Sequence, residues 1–354
     1  MTTVMKSDLN LFQSHKFPRT RYQGSKYKLQ NWIKNNLEKL NFETMLDAFS
    51  GTSSIAYVAK EMNKTVYCND ILKFNYYIAK ALIENNSEQI TKSEFEDIII
   101  KKNNYKYSSF IQDTFQNIYF LDEENKWLDI VIQNINQIKN DNKKVMFLWA
   151  LYQSCISKRP YNLFHRKNLY VRTSEVKRNF GNKTTWDKSF EEHFYKFIKE
   201  INSAVFDNNK NNKVFNKDIF ELNLEVDLVY FDTPYIPQKG SLTYYRDFYH
   251  FLEGLTNYDN WQESIDYNTK HKKLKSTYNI WEDKWNIHQG FENLVKKFRD
   301  SIIVISYRCD GIPTIEEISK ILEKYGKKVH IEMTDYQYVL SKKGNLKEVL
   351  IIGK

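Results

Sequence analysis

The sequence, 354 residues long, predicts an α/β fold: a mostly parallel sheet wound with helices on both faces, a terminal antiparallel hairpin, and a mainly helical insert. Three observations lead there. Thr44–Phe49 is an apolar run followed by Ser50-Gly51-Thr52-Ser53. Ser54–Met62 then places apolar residues at helical spacing, and Thr65–Cys68 reads as a second strand closed by Asn69-Asp70. Val226–Phe231 is a second apolar run that ends abruptly in Asp232-Thr233-Pro234-Tyr235, and Ser301–Tyr307 is a third. Continuous apolar runs of this length are how strands buried on both faces read.

The elements follow in order. The strand, small-residue turn, helix and second strand ending in an acid about 20 residues on form the layout of a nucleoside-binding βαβ unit. Gly51 lets the backbone approach a ligand, and Asp70 is placed to accept from ribose hydroxyls. A single glycine makes a pyrophosphate cradle a poor fit. A helix pattern runs from Asp70 to about Ile83, and residues 85–145 alternate amphipathic helical patterns with asparagine-containing breaks. Lys213–Asn216 resumes the sheet, with Asp218 at its end, either beside a bound nucleoside or as a helix N-cap. At Asp232 the chain leaves a strand and turns sharply, because the residue before Pro234 is held extended. Ligands of open α/β sheets bind at such carboxyl ends. Lys239-Gly240-Ser241 reads as a mobile loop and Tyr244–Leu252 as a helix with its rings in the core. The closing hairpin is expected from Tyr336–Leu340, a turn at Lys342–Asn345, and Glu348–Ile352.

Upstream lies Arg19–Tyr27, a basic and aromatic loop containing Gln23-Gly24-Ser25-Lys26. Together with Asp47–Ser53 and Asp232–Tyr235, this loop resembles the D12-class, Dam-like DNA adenine-N6 methyltransferases, in their alpha arrangement of cofactor loop first and catalytic motif later. Gln23–Lys26 is similar to the family's glycine-glycine-lysine element, Asp47–Ser53 to its acid-x-Phe-x-Gly-x-Gly loop, and Asp232–Tyr235 to its Asp-Pro-Pro-Tyr tetrapeptide. Ser53 stands where the family has a second glycine, and Thr233 where it has the first proline.

The resemblance implies a Rossmann-like methyltransferase domain over 1–84 and 210–354, and an inserted target-recognition domain over 85–209. It implies S-adenosyl-L-methionine as cofactor, held by Tyr22, Gly24, Lys26, Asp47, Phe49, Gly51, Asp70 and Asp218. It further implies that Asp232 and the Thr233 carbonyl accept from the amino group of an adenine flipped out of double-stranded DNA. Pro234 would hold that turn, and Tyr235 would stack on the base. A cognate restriction endonuclease is a partner that such enzymes can have.

Composition agrees. A net charge of +9 points to a polyanionic partner, nucleic acid first. Residues 153–190 mix cations, rings and amides. Lys158, Arg159, Asn162, Arg166, Lys167, Arg172, Arg178 and Lys183 are the expected DNA contacts, with Asn179 and Trp186 continuing the pattern. Cys68, Cys155 and Cys309 are too far apart for a metal motif or disulfide framework, so no metal and a reducing cytoplasm are expected. The longest apolar run, Val145–Tyr152, is too short to span a bilayer, and the polar start Met1–Asp8 carries no secretory signal. His271 and His288 read as surface residues, and no hydrolytic triad is legible. Cytosine-N4 methylation poses the same chemical problem and stays open. So do an RNA or protein amide substrate and a DNA-binding protein of this fold without turnover.

Overall fold

The computed structural model describes residues 15–176, 183–238, 242, 244–336 and 347–354. The strands are β1 (Thr44–Asp47), β2 (Thr65–Asn69), β3 (Lys213–Phe215), β4 (Leu228–Phe231), β5 (Ile236–Pro237), β6 (Ile302–Arg308), β7 (Gly311–Ile312), β8 (Val329–Asp335) and β9 (Lys347–Gly353). Among the described residues, seven of them form one sheet in the order β3-β2-β1-β4-β6-β9-β8. The first five run parallel. The last strand, β9, inserts antiparallel between β6 and β8. β5 and β7 form a separate antiparallel pair.

Successive strand residues face opposite sides, so each buried strand feeds two cores. Met45, Leu228, Tyr230, Val304 and Leu350 join one cluster, and their neighbours Leu46, Val229, Phe231, Ile303 and Val349 join the other. The second cluster is closed by the helices Ile287–Lys297 and Ile315–Lys324. The first continues through Ser54–Glu61 and Lys73–Ala79 into the helices between β2 and β3. At the centre of that helical unit is Asp141–Ser157, buried at every position from Val145 onward. A helix apolar all round must be covered on all sides. Phe190–Ala204 and Lys73–Ala79 cover part of it.

Residues 249–274 also pack on this unit. Phe251 and Trp261 lie against Phe115, and the Tyr119 hydroxyl lies 2.7 Å from His250 Nε2 and 2.8 Å from the His271 carbonyl. The expected helix at Tyr244–Leu252 is two helices, Tyr245–Phe248 and His250–Thr256, separated at Tyr249. His271 is half-buried, and its carbonyl serves the core; His288 pairs with Glu317 at 3.2 Å.

The hairpin's second arm is β9, which pairs with β8 over Val329–Asp335; of the expected first arm, Tyr336–Leu340, all but Tyr336 lies outside the described residues. β8 is a half-exposed edge strand of mixed polarity, so it lacks an apolar run to betray it. Residues 337–346 and the loop 239–241 lie outside the described residues, as does the amino-terminal segment. Among the described residues, no helix is long and apolar enough to cross a membrane.

Gly254 shows how tightly residues 249–274 are fitted: an added Cβ would lie 1.8 Å from the Trp261 ring. Because Trp261 is fully buried, Gly254→Ala is expected to lower unfolding stability by about 3 kcal/mol in urea titrations.

Candidate active site

The carboxyl ends of β1, β2, β3 and β4 open into a cleft of about 650 Å³, within the range of small-molecule sites. Each of the eight residues expected to hold a cofactor lines it: Tyr22, Gly24, Lys26, Asp47, Phe49, Gly51, Asp70 and Asp218. Asp232, Thr233 and Pro234 line it too. Tyr235 lies outside this wall, with its ring edge-on to Tyr307.

The turn after β1 is built by hydrogen bonds between strand ends. Ser50 N–H donates to the Asn69 carbonyl at 3.0 Å, and Ser53 N–H to the Ser50 carbonyl at 2.6 Å. Gly51 has φ +49°, and an added Cβ would meet only the Phe49 carbonyl at 4.0 Å, which leaves the backbone open to a ligand. Ser53, at the family's second glycine, is also left-handed at φ 59° and fully buried. The loop thus retains a conformation that favours glycine while carrying a serine, at a cost of about 1–2 kcal/mol.

Asp70 closes the turn from β2. Its Oδ2 accepts from Gly51 N–H at 2.9 Å and Asn75 Nδ2 at 3.2 Å, and its Oδ1 from Leu72 N–H at 2.9 Å. Burial outweighs these donors and pushes its carboxyl up to about 6. Asn69, which the sequence reading used only as a strand end, donates to the Ala48 and Lys217 carbonyls. Asp218 both caps the turn Ile219–Glu221, accepting from Phe220 N–H at 2.9 Å, and faces the cleft.

The amino-terminal loop is clamped from a distant segment. Tyr22 stacks on Tyr249 with ring centroids 4.3 Å apart, and Gln23 N–H donates to the Tyr249 hydroxyl at 2.6 Å. Gly24, at φ +88°, leaves room for Tyr245, whose hydroxyl lies 2.4 Å from where a Cβ would sit. Ser25 Oγ and Thr52 Oγ1 are 3.1 Å apart, joining this loop to the β1 turn. Lys26, buried, sets its ammonium 3.1 Å from Asp232 Oδ1 and 3.0 Å from Glu348 Oε1. Burial and Glu348 together outweigh Lys26 and hold Asp232 up at about 6.

Two residues at the site, Trp281 in the cleft wall and Glu348 behind Lys26, carried little sequence signal. Trp281 packs edge-on to Phe49 at 5.1 Å and stacks on Phe220 at 6.0 Å, forming an aromatic wall. It sits in a stretch whose spacing pointed to no chemistry. Tyr267, Tyr278 and Trp285 of that stretch are exposed, whereas Trp261 is core. Glu348 read only as a hairpin residue; an acid opening an otherwise apolar strand was its one signal.

The residues fit S-adenosyl-L-methionine on an observation independent of resemblance. Asp47 is buried at the cleft wall, and its Oδ1 has no hydrogen-bond partner among the described residues. Burial and the nearby charges of Asp232 and Asp70 hold its carboxyl well above its usual range. An unpartnered buried acceptor suits a ligand carrying an ammonium and hydroxyls.

The expected DNA contacts divide, and the structure corrects three of them. Arg159 is buried, donating to the carbonyls of Leu163, Tyr119 and Arg166 and to Asn168 Oδ1. Lys158 and Arg172 are buried on Glu124, at 2.7 Å each. A cation removed from water needs such partners, so these three build the loop rather than face phosphate. Arg166, Lys167 and Lys183 are exposed, Asn162 is half-buried with φ 60°, and Trp186 is buried. Arg178 and Asn179 lie outside the described residues.

The sheet order, with an antiparallel last strand inserted before the edge, and a ligand cleft at the parallel strand ends define a Rossmann-like methyltransferase. The model of the D12 class N6 adenine-specific DNA methyltransferases matches residues 22–308, and the chain belongs to that family, whose methyl donor is S-adenosylmethionine. It is 30% identical over 339 residues to the type II methyltransferase M2.HphI of Haemophilus parahaemolyticus, across 93% of this chain and 95% of that protein. It is 28% identical to the modification methylase StsI of Streptococcus sanguinis, across 86% of this chain and 46% of that protein. Its similarity to the type II methyltransferase M.FokI of Planomicrobium okeanokoites is 25% identity, across 86% and 47%. The chain thus spans nearly all of the first relative and about half of the other two.

Arg159→Met is expected to lower stability by about 3 kcal/mol or more in urea unfolding, because it strands four internal acceptors. The double variant Arg166→Ala, Lys167→Ala is expected to unfold as the parent does while binding duplex DNA more weakly and with a shallower salt dependence.

Proposed function

We propose that this chain methylates adenine N6 at a specific site in double-stranded DNA in the cytoplasm, with the target base flipped from the duplex, as the modification component of a restriction system. The observation that carries the catalytic reading is Asp232. It stands at the cleft wall with Oδ1 3.1 Å from the Lys26 ammonium. S-adenosylmethionine supplies an electrophilic methyl group when bound, through the eight residues named for it.

The chain's own residues prepare the amine. The adenine N6 lone pair is delocalised into the ring and is a poor nucleophile. Asp232 Oδ2 accepts a hydrogen bond from one N6–H and the Thr233 carbonyl from the other, which favours a tetrahedral nitrogen with a localised lone pair. Pro234 keeps residue 233 extended so that its carbonyl is presented. Threonine retains that carbonyl, so the exchange for proline alters the loop's stiffness and not its acceptor. Tyr235 is the platform for the extruded base. Its ring has Lys26 at 5.9 Å and Arg308 at 5.2 Å, a cationic surround. Catalysis is then positioning and electrostatics, and the buried Cys68 and Cys155 and the half-buried Cys309 need no covalent role.

Target recognition falls to the helical insert over 85–209, with residues 249–274 packed on it and Arg166, Lys167 and Lys183 on its surface. The names of the relatives, type II methyltransferases and a modification methylase, support the restriction setting.

Labelled methyl transfer to unmethylated DNA, with the nucleoside identified by mass spectrometry, tests the reading. The expected product is N6-methyladenine, lost by about 100-fold or more in Asp232→Ala with cofactor affinity retained. N4-methylcytosine would keep the mechanism and change the base; retained activity in Asp232→Ala would remove the acid's role. Because the acceptor is the carboxylate, held at about 6 in the free protein, kcat/KM is expected to fall as pH drops through that value. The loss approaches tenfold per pH unit below it.

A further inference from the structure

We propose that Glu348, on the terminal strand β9, is a positioning residue for methyl transfer: by sharing the Lys26 ammonium with Asp232, it aims the acid's second oxygen and keeps that acid a strong acceptor. The inference rests on Asp232 being the acceptor, as proposed above.

Glu348 is fully buried, and Lys26 is 5% exposed. The ammonium lies 3.0 Å from Glu348 Oε1 and 3.1 Å from Asp232 Oδ1. Ser306, on β6 beside it, donates its hydroxyl to the same Oε1 at 2.5 Å. A lysine and one aspartate would already be a neutral buried pair. A second carboxylate adds a desolvation penalty that packing alone does not require, since a glutamine or an apolar residue would fill the space. Its effect is electrostatic. Among the described residues two anions share the Lys26 ammonium, so Asp232 is less neutralised than in an isolated pair and accepts more strongly. Its effect is also geometric: Lys26 is held from two sides, which fixes Oδ1 and leaves Oδ2 aimed.

Asp232, held up at about 6, titrates near neutrality. Asp232 also faces Asp47, from β1. The phenols of Tyr230, Tyr235, Tyr245 and Tyr336 face Glu348 or Asp232, and burial keeps all four above their usual range. Arg308, opposite Glu348 in the β6–β9 register, is paired to Asp310 at 2.6 Å.

The test is single-turnover methyl transfer to duplex DNA from pH 5 to 8 for the parent, Glu348→Gln, Ser306→Ala and Asp232→Ala, with S-adenosylmethionine binding measured alongside. Glutamine preserves shape and an acceptor for Ser306 but surrenders Lys26 to Asp232. The expected result is an acid limb displaced to lower pH by about one unit, with a plateau about tenfold lower. A Glu348→Gln profile that overlays the parent overturns the proposal. So does an equal loss at every pH, which is what a purely structural glutamate would give.

If Glu348→Gln fails to bind cofactor or to fold, Ser306→Ala decides. A plateau about threefold lower with cofactor affinity intact supports the positioning role, and a parental plateau overturns it. Activity in Asp232→Ala would instead overturn the acceptor reading beneath the proposal, so the two failures are distinguishable.

Discussion

The buried contact among Lys26, Asp232 and Glu348 is the constraint around which the site is assembled. It draws together three segments remote in sequence: the amino-terminal loop, the turn after β4 and the terminal strand. Each carboxylate would be costly alone in this environment, and the ammonium compensates both only if all three backbones are held in place. The stacking of Tyr22 on Tyr249 and the bond from Gln23 N–H to Tyr249 position the loop. The β6–β9 register positions Glu348 beside Ser306. Insertion of β9 between β6 and β8 therefore completes the cleft end of the sheet.

The cofactor side of the cleft obeys a related rule. Strand ends leave unpaired backbone groups, and here side chains at neighbouring strand ends satisfy them. Asp70 accepts from Gly51 and Leu72, and Asn69 bonds across to Ala48 and Lys217. The turns gain a defined shape without a glycine-rich sequence, which explains how Ser53 occupies a left-handed position and the loop persists. Asp47, by contrast, keeps an oxygen without a partner among the described residues at the cleft wall. Stitched turns surrounding an unsatisfied acceptor describe a site shaped in advance for a polar ligand.

The helical unit shows why net charge is an uncertain guide to a binding face. The chain's excess of nine positive charges suggested that the cations of residues 158–172 were all presented outward. Lys158, Arg159 and Arg172 instead compensate Glu124 and the carbonyls of an irregular loop. Nothing in local sequence separates them from Arg166 and Lys167, because the partner of Lys158 lies 34 residues away and that of Arg172 48. Local sequence pattern showed Val145–Tyr152 only as an apolar run, which proves to be part of the fully buried stretch of the central helix. It could not reveal β8, whose polarity is mixed because one edge and much of one face meet solvent.

By itself the sequence determined the strands at Thr44, Thr65, Leu228 and Ile302 and the ligand-facing ends of the first four strands. Those features depend on local rules: apolar runs seek burial, and small residues, acids and proline terminate them. The same locality made Gly51, Asp70 and Asp232 legible as cleft residues. Tertiary structure alone decided that Lys26 pairs with Asp232 and Glu348, that Trp281 walls the cleft, and that Arg159 is internal. Each is a matter of desolvation and partnering, and those depend on neighbours that only the folded chain brings within a few ångströms.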